Sequence, residues 1–359
     1  MFIFGSSAVV GAATGVGQDS WIALVSAALV SVPMVLIYAR IIKLNPGEGL
    51  FVAVERLLGK VIGKVVIALM SWYALHLCSL ILRNFSEYLQ VTSMLETPQL
   101  PMLIIMVITI YFLARNGGKA LGKWALATIP IVLGIVALTV FLSFNVMDPS
   151  NFRPFFEHPI DEIANTAFQT FSFPFAETVL LLGIADFIRP SDNPRRIYLT
   201  GILIGFVVLM AIVTRNLMVL GPAVVSAEYF PSYAAVRIIH VGEFLSRIEG
   251  SISVNFILAG ITKSTLCLIT ATRGIACLFG IRDWRKLVAP VGLLAVMLAQ
   301  ILYGSTMEMF GFIKYYPYYA FPFQVALPLV IWIVSEIRAR KARKAGGATG
   351  LQPASRPGE

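Results

Sequence analysis

Two charged side chains in long apolar stretches are the residues best placed to do chemistry in this chain. Glu177 follows Phe173-Pro174-Phe175-Ala176, and Lys263 lies near the middle of an apolar stretch over about residues 252–280. Because a charge in an apolar interior is unfavourable without a partner, such residues usually face the inside of a protein and bind something. A carboxylate there can hold a ligand amine or carry a proton, and an ammonium group can replace a bound sodium ion.

Both charges also have purely structural explanations. Glu177 can be a satisfied carboxylate that holds a helix break open, and Lys263 can belong to a buried ion pair with Glu177 or Asp19. A second charged pair, Arg83 and Glu87, has the i, i+4 spacing at which helical side chains meet. For this pair the sequence favours packing or gating over ligand binding.

Two segments contain residues that interrupt helices, Gly5-Ser6-Ser7 near the N-terminus and Phe173-Pro174-Phe175 before Glu177. Where a helix breaks, four N–H and four C=O groups lose their partners. Free N–H groups suit a carboxylate and free carbonyl groups suit an ammonium group, so together they match a zwitterionic amino acid. Close packing of small residues and a simple proline kink are the alternatives. The predicted ligand site comprises Gly5, Ser6, Ser7, Phe173, Pro174, Phe175, Ala176 and Glu177, with Lys263 in an ion-substituting or coupling role.

The elements that carry these residues are predicted to be membrane-spanning helices. The chain has 359 residues, of which 58% are hydrophobic and 13% charged, and its mean hydropathy is +0.82. Soluble domains average roughly 45–50% apolar and about 25% charged residues, so a bilayer must supply the apolar solvent. Stretches of about 20 apolar residues can span it. Ten spans are predicted at about 1–15, 19–40, 61–85, 99–115, 124–146, 162–187, 197–221, 252–280, 286–305 and 318–337.

The two interrupted segments fall in the first and sixth of these ten spans. In a transmembrane domain over residues 1–337 made of two five-helix halves, about 1–146 and 162–337, these are corresponding positions. A pair of interrupted helices at corresponding positions is the best sequence indication of a transporter-type binding site. The sequence thus predicts an all-α, transporter-like membrane protein with interrupted helices 1 and 6.

Basic residues are distributed unevenly between the loops. The loops after even-numbered spans, together with the tail over residues 338–359, carry 20 Lys and Arg residues, and the opposite loops carry 4. Since basic loops remain cytoplasmic, both termini are predicted to be cytoplasmic. The net charge of +9 therefore indicates membrane orientation and contact with lipid, and no nucleic-acid partner is expected.

Several classes of function lack support in the sequence. The three cysteines, Cys78, Cys267 and Cys277, have no CxxC spacing and no neighbouring histidine cluster, so neither a disulfide framework nor a metal site is expected. No HExxH, GxSxG or P-loop motif is present, and the loops are too short for a soluble catalytic domain. The sequence predicts a protein that is not an enzyme and needs no cofactor.

Five short motifs spread over nearly the whole chain resemble those of one known family. They are Phe4-Gly5-Ser6-Ser7 followed by Gln18-Asp19-Ser20-Trp21-Ile22, then Leu58-Gly59-Lys60 with Gly63-Lys64, then Phe173-Pro174-Phe175-Ala176-Glu177, and finally Lys263 followed by Leu278-Phe279-Gly280. In these residues the chain resembles the endospore germination permeases, the B subunits of spore germinant receptors. That family is related to the amino acid/polyamine/organocation transporters, so the resemblance implies a LeuT-like fold of about ten helices in two inverted five-helix repeats.

The resemblance implies a sensing role that composition and spacing do not reach. It implies residence in the spore inner membrane or the cell membrane, a small germinant such as an amino acid bound at the breaks, and assembly with a membrane A subunit and a lipoprotein C subunit. Members of the family begin with a longer first span, so the first helix is expected to be truncated in this chain. An amino acid permease that moves its ligand across the membrane is the alternative, because both functions need the same site.

Overall fold

The computed structural model describes residues 1–5, 7–189, 191–239 and 249–348, and the elements in this part of the chain are all helical. The α-helices are α1 (Ser7–Val10), α2 (Ser20–Leu44), α3 (Leu50–Leu58), α4 (Lys60–Thr92), α5 (Gln99–Arg115), α6 (Gly117–Ser143), α7 (Ile160–Thr170), α8 (Pro194–Leu220), α9 (Pro222–Ala227), α10 (Pro231–Arg237), α11 (Glu249–Phe279), α12 (Val288–Ile301), α13 (Thr306–Phe321) and α14 (Leu327–Ala348). Short helical segments of other geometry are Thr14–Asp19, Phe144–Val146, Pro149–Phe152, Phe171–Phe175, Ala176–Phe187, Trp284–Leu287 and Pro322–Ala326.

Eight helical stretches in the described residues are long and apolar enough to cross a membrane. They are Thr14–Leu44, Lys60–Thr92, Gly117–Val146, Ile160–Phe187, Pro194–Leu220, Glu249–Phe279, Trp284–Ile301 and Thr306–Lys341. Each overlaps one of the ten predicted spans. The predicted fourth span is the apolar helix Gln99–Arg115, which has 17 residues, and the predicted first span contains the four-residue helix α1. The fold is that of a multi-pass helical membrane protein.

The last span begins twelve residues earlier than predicted. Its first helix, α13, starts at Thr306 because Ser305 caps it, accepting a hydrogen bond from the Glu308 N–H at 3.3 Å. The Glu308 side chain in turn accepts from the Gly304 N–H at 2.7 Å, which resembles a capping box. The span continues through Pro322–Ala326 into α14, which passes the predicted boundary at residue 338 and ends at Ala348. The rest of the predicted tail, residues 349–359, lies outside the described residues.

The centre of the fold is the contact between α4 and α11, the two most deeply buried of the candidate spans. Gly274 of α11 permits this close packing, since a Cβ atom there would collide with the Ser71 side chain of α4 and lie 3.0 Å from the Phe51 ring of α3. By contrast, α6 is mostly exposed and lies at the periphery of the helices. Lys263 lies on α11 itself, and Glu177 lies on the segment Ala176–Phe187, which packs against α11.

Candidate functional site

The helix break predicted before Glu177 is present. After α7 the chain passes through the wide turn Phe171–Phe175, in which Phe173 has an extended conformation (φ −125°, ψ 105°). Helical structure resumes at Ala176 and continues to Phe187, so Glu177 lies in the first turn of this second half-helix. Pro174 lies two residues before this helix start, within the break, and because it has no N–H group it leaves no unpaired donor there. The positive end of the helix dipole is directed at a carboxylate, which stabilises its charged form.

Glu177 and Lys263 form an ion pair, and both side chains are completely buried. The other carboxylate oxygen of Glu177 accepts a hydrogen bond from the Tyr316 hydroxyl of α13 at 2.7 Å. The Lys263 ammonium group also lies 4.8 Å from the centre of the Phe173 ring and 5.3 Å from that of Phe2. Two aromatic faces and one carboxylate thus compensate the buried cation. Between the two predicted ion-pair partners of Lys263, the structure selects Glu177.

Asp19, the other predicted partner, is bound elsewhere. Its buried carboxylate accepts hydrogen bonds from the backbone N–H groups of Phe156 at 2.8 Å and His158 at 3.1 Å. The His158 ring nitrogen Nδ1 lies 3.2 Å from the same carboxylate. Asp19 therefore anchors the connection between α6 and α7 to the start of α2.

A network of neutral polar groups that sequence reasoning missed extends from Glu177. The Tyr316 hydroxyl is 3.0 Å from that of Tyr73, and Gln324 donates to the Tyr73 hydroxyl at 2.8 Å. Gln324 also joins the break, because its amide bonds both the hydroxyl and the carbonyl of Ser172 at 2.9 Å. The Tyr38 hydroxyl donates to the backbone carbonyl of Gln324 at 2.5 Å. One signal could have identified Gln324, since it is a polar residue two positions after Pro322 in an apolar span.

A narrow cavity of about 30 Å³ lies beside Glu177. Polar residues lie at its two ends and apolar residues between them; the lining is Leu77, Leu80, Asn84, Phe173, Glu177, Tyr303, Met309, Phe312, Ile313 and Tyr316. On α4 the lining positions are spaced by three and four residues, and those of α13 follow the same rule, so each helix contributes one stripe. A volume of this size holds roughly two water molecules, so any larger ligand requires the stripes to separate.

The predicted site residues do not all reach this cavity. Phe173 and Glu177 line it, whereas Pro174, Phe175 and Ala176 are buried within the break itself. In the first segment, Gly5 packs against α11, because a Cβ atom there would lie 3.4 Å from the carbonyl oxygen of Ala259, one helical turn before Lys263. This contact brings the first segment to the lysine side of the ion pair.

The carbonyl groups of the first segment are partly satisfied by side chains. Ser7 donates its hydroxyl to the Ile3 carbonyl at 2.8 Å, and Ser232 of α10 donates to the Ala8 carbonyl at 2.5 Å. Ser6, the remaining predicted residue of this segment, lies outside the described residues. Backbone carbonyl groups of the first segment are therefore hydrogen-bonded within the protein. Of the two breaks, it is the second whose residues line the cavity.

The predicted pair Arg83–Glu87 is present on α4, with 2.7 Å between Nη2 and Oε1 and both side chains buried. Arg83 also donates to the Tyr303 carbonyl at 2.7 Å, and Glu87 accepts from the Thr306 hydroxyl at 2.5 Å and from Gln99 at 2.7 Å. The pair therefore fastens the connection between α12 and α13 over the end of the cavity that is remote from Glu177. This position suits the gating or packing role that the sequence favoured.

Metal binding has no structural basis in the part of the chain that the structure describes. No three His, Cys, Asp or Glu side chains are grouped there in a way that could hold an ion. The three cysteines are free thiols, two of them buried. The chemistry available at the site is therefore that of one carboxylate, one ammonium group and a set of neutral hydroxyl and amide groups.

Comparison with solved structures identifies the fold. The chain superposes on Mhp1, a nucleobase-cation-symport-1 family transporter in a closed conformation with bromovinylhydantoin bound, with a TM-score of 0.60 and 12% sequence identity. The match covers 98% of this chain and 93% of that one. The predicted LeuT-like fold with interrupted helices is thereby confirmed.

Sequence comparison identifies the family. The chain is 24% identical over 354 residues to spore germination protein KB of Bacillus subtilis (strain 168), covering 97% of this chain and 94% of that protein. A second relative in the same organism, YfkT, is 21% identical over 331 residues and is covered over 90% of its length. The family model for spore germination proteins matches residues 1–306. Because this family model covers most of the chain, the chain belongs to the spore germination permease family.

Proposed function

We propose that this chain is the germinant-sensing membrane subunit of a spore germination receptor and that it binds a small ligand, such as an amino acid, beside Glu177. The observation that carries the proposal is a cavity in which a buried carboxylate meets a helix break. Membership of the spore germination permease family and the transporter fold support it. The two interrupted segments converge on the Glu177–Lys263 pair, the first through Phe2 and the second through Phe173.

The charge balance of the site favours a zwitterion. Glu177 and Lys263 neutralise each other, so a ligand without net charge adds no uncompensated charge to the interior. A carboxylate has about four acceptor positions, and Lys263 and Tyr316 use two of those on Glu177. The remaining positions can accept a ligand amine from the cavity. The ligand carboxylate would then be balanced by the Lys263 ammonium group.

Transport of the ligand is the second candidate function, and the fold of Mhp1 favours it specifically. Receptor and transporter need the same cavity and differ in whether the ligand leaves on the opposite side. The cytoplasmic loops are too short to signal by themselves, so a receptor subunit needs partners. We propose a membrane A subunit and a lipoprotein C subunit, with this chain in the spore inner membrane or the cell membrane, both termini cytoplasmic and the basic tail against anionic lipid.

Ligand binding is tested with purified full-length protein in lipid nanodiscs, by calorimetric titration with each of the twenty amino acids. We expect at least one to bind, and the double variant Glu177→Gln/Lys263→Met to lose that binding while remaining monodisperse, because it removes both charges together. Asp148→Asn is the matched control, since that carboxylate lies in an exposed loop. Equal loss in the control, or unchanged binding in the double variant, would contradict the assignment of the site.

Sensing is separated from transport by uptake and by germination assays. A receptor is expected to bind the ligand without accumulating it in proteoliposomes, and its spores should lose the response when the genes of the partner subunits are deleted. Accumulation of the radiolabelled amino acid by this chain alone, or a germinant response that survives those deletions, would favour the transporter.

A further inference from the structure

The end of the cavity remote from Glu177 (the far end) contains polar groups that form no hydrogen bond within the described part of the protein. Asn84 and Tyr303 line this end and are more than nine-tenths buried. Within the described residues, neither the Asn84 side-chain amide nor the Tyr303 hydroxyl has a hydrogen-bond partner. Buried amides and hydroxyls are rarely left unpaired, because the lost hydrogen bonds cost about 1–3 kcal/mol for each group. Two such groups on one cavity wall are available to the water molecules for which the cavity has room, or to a polar ligand group that replaces them.

The far end is separated from Glu177 by a defined distance. Leu77 and Asn84 mark the two ends of the α4 stripe, and Tyr316 and Met309 mark those of the α13 stripe. Each pair spans seven residues of helix, which at 1.5 Å per residue is about 10 Å. The amino and carboxylate groups of an α-amino acid are joined through a single carbon atom. They cannot occupy both ends, whereas an extended side chain can reach from one end to the other.

The far end is also neutral. Arg83, next to Asn84, has its charge paired with Glu87, and its two Nη atoms also donate to the carbonyl groups of Ala299, Gln300 and Tyr303, whereas its Nε–H has no partner within the described residues. A charged ligand group there would be buried without a partner, which is unfavourable. An amide or hydroxyl, by contrast, would satisfy both Asn84 and Tyr303. The middle of the cavity, lined by Leu80, Phe312 and Ile313, suits an apolar chain.

We infer that Asn84 and Tyr303 form a second subsite, which selects ligands whose extended apolar side chain ends in a neutral hydrogen-bonding group such as a carboxamide. The ligand amine lies at Glu177 and its side-chain tip lies at the far end. Met309 is flexible enough to yield as the cavity widens. This inference rests on the proposed function, because it assigns the side-chain end of the same site.

The test is a comparison of L-glutamine with L-methionine, whose side chains have similar length but differ in the tip. For full-length wild-type protein in nanodiscs, the dissociation constant for methionine is expected to exceed that for glutamine by about tenfold, the effect of unpaired polar groups. Asn84→Leu should bring this ratio near one. Tyr303→Phe, which removes a single oxygen atom, should lower it by roughly threefold.

Two matched controls separate recognition from general burial effects. Asn255→Leu replaces another buried asparagine, and Tyr319→Phe replaces a tyrosine of α13; neither residue lines the cavity. Both controls should keep the wild-type ratio. Should Asn84→Leu fail to fold, as judged by gel filtration, Tyr303→Phe decides the question.

The outcomes for the subsite and for the proposed function are distinguishable. If wild-type protein binds methionine as tightly as glutamine, with binding that still requires Glu177, the subsite is refuted and the proposed function stands. An unchanged ratio in Tyr303→Phe, or an equal fall in the controls, also refutes the subsite. If none of the twenty amino acids binds, both are refuted.

Discussion

Removing Lys263 alone should destabilise the protein more than removing Lys263 and Glu177 together. In Lys263→Met, the Glu177 carboxylate remains completely buried and keeps only the Tyr316 hydrogen bond and the dipole of its half-helix. Loss of one partner of a buried ion pair costs about 3–5 kcal/mol, because the other charge is left uncompensated. The Tyr316 bond and the dipole offset part of this, so we expect a value near the lower end, about 3 kcal/mol.

The double variant Glu177→Gln/Lys263→Met should be close to neutral. Methionine fills most of the lysine volume between the Phe2 and Phe173 rings, and glutamine can still accept from Tyr316. Replacement of buried ion pairs by neutral groups of similar volume is often neutral or stabilising. The coupling free energy between the two positions should therefore be about 2–3 kcal/mol.

A double-mutant cycle measures this coupling through thermal unfolding of the four proteins in one detergent. The exposed pair Arg56–Glu48 provides the control, since Arg56→Met should change stability by no more than about 1 kcal/mol. Equal destabilisation by the single and double variants would refute the reasoning, because the two side chains would then act independently. A neutral Lys263→Met would refute it as well, by showing that Glu177 needs no counter-ion.

Two further predictions concern orientation and ion dependence. In a background without the three native cysteines, single cysteines are placed at the exposed positions Asn193 and Ser150. They should react with an impermeant thiol reagent from opposite sides of the membrane. Labelling of both from one side would contradict the charge-based orientation. If Lys263 replaces a sodium ion, ligand affinity should be the same in sodium, potassium and choline chloride, whereas a sodium requirement would exclude that role.

Glu177 and Lys263 could be identified from the sequence because a charge in an apolar stretch is conspicuous wherever the helix lies. The break before Glu177 was equally visible, since Pro174 cannot continue a hydrogen-bonded helix. The partner of Lys263 could not be identified in this way, because Asp19 and Glu177 are equivalent candidates in the sequence. The structure decides between them, since His158 binds Asp19. The choice of partner depends on tertiary contacts between residues that are far apart in the chain.

The tyrosine hydroxyl groups of the site could not be identified from the sequence. Tyr73 and Tyr316 are ordinary residues of apolar helices, and no spacing distinguishes them from exposed tyrosines such as Tyr315. Their role arises where α4 and α13 meet, which brings together residues about 240 positions apart, as the Tyr73–Tyr316 contact shows. The same meeting creates the cavity and places Asn84 at its far end.

The sequence by itself determined the membrane-spanning helices, the second break and the two central charges. These are local properties, because bilayer thickness sets the length of an apolar stretch and backbone chemistry sets where a helix ends. Only the tertiary structure decided which side chains meet: the pairing of Glu177 with Lys263, the packing of Gly5 against Ala259 and the cavity between α4 and α13. Those contacts depend on the rotation of each helix about its axis, which is set by the packing of many side chains and close backbone contacts at once.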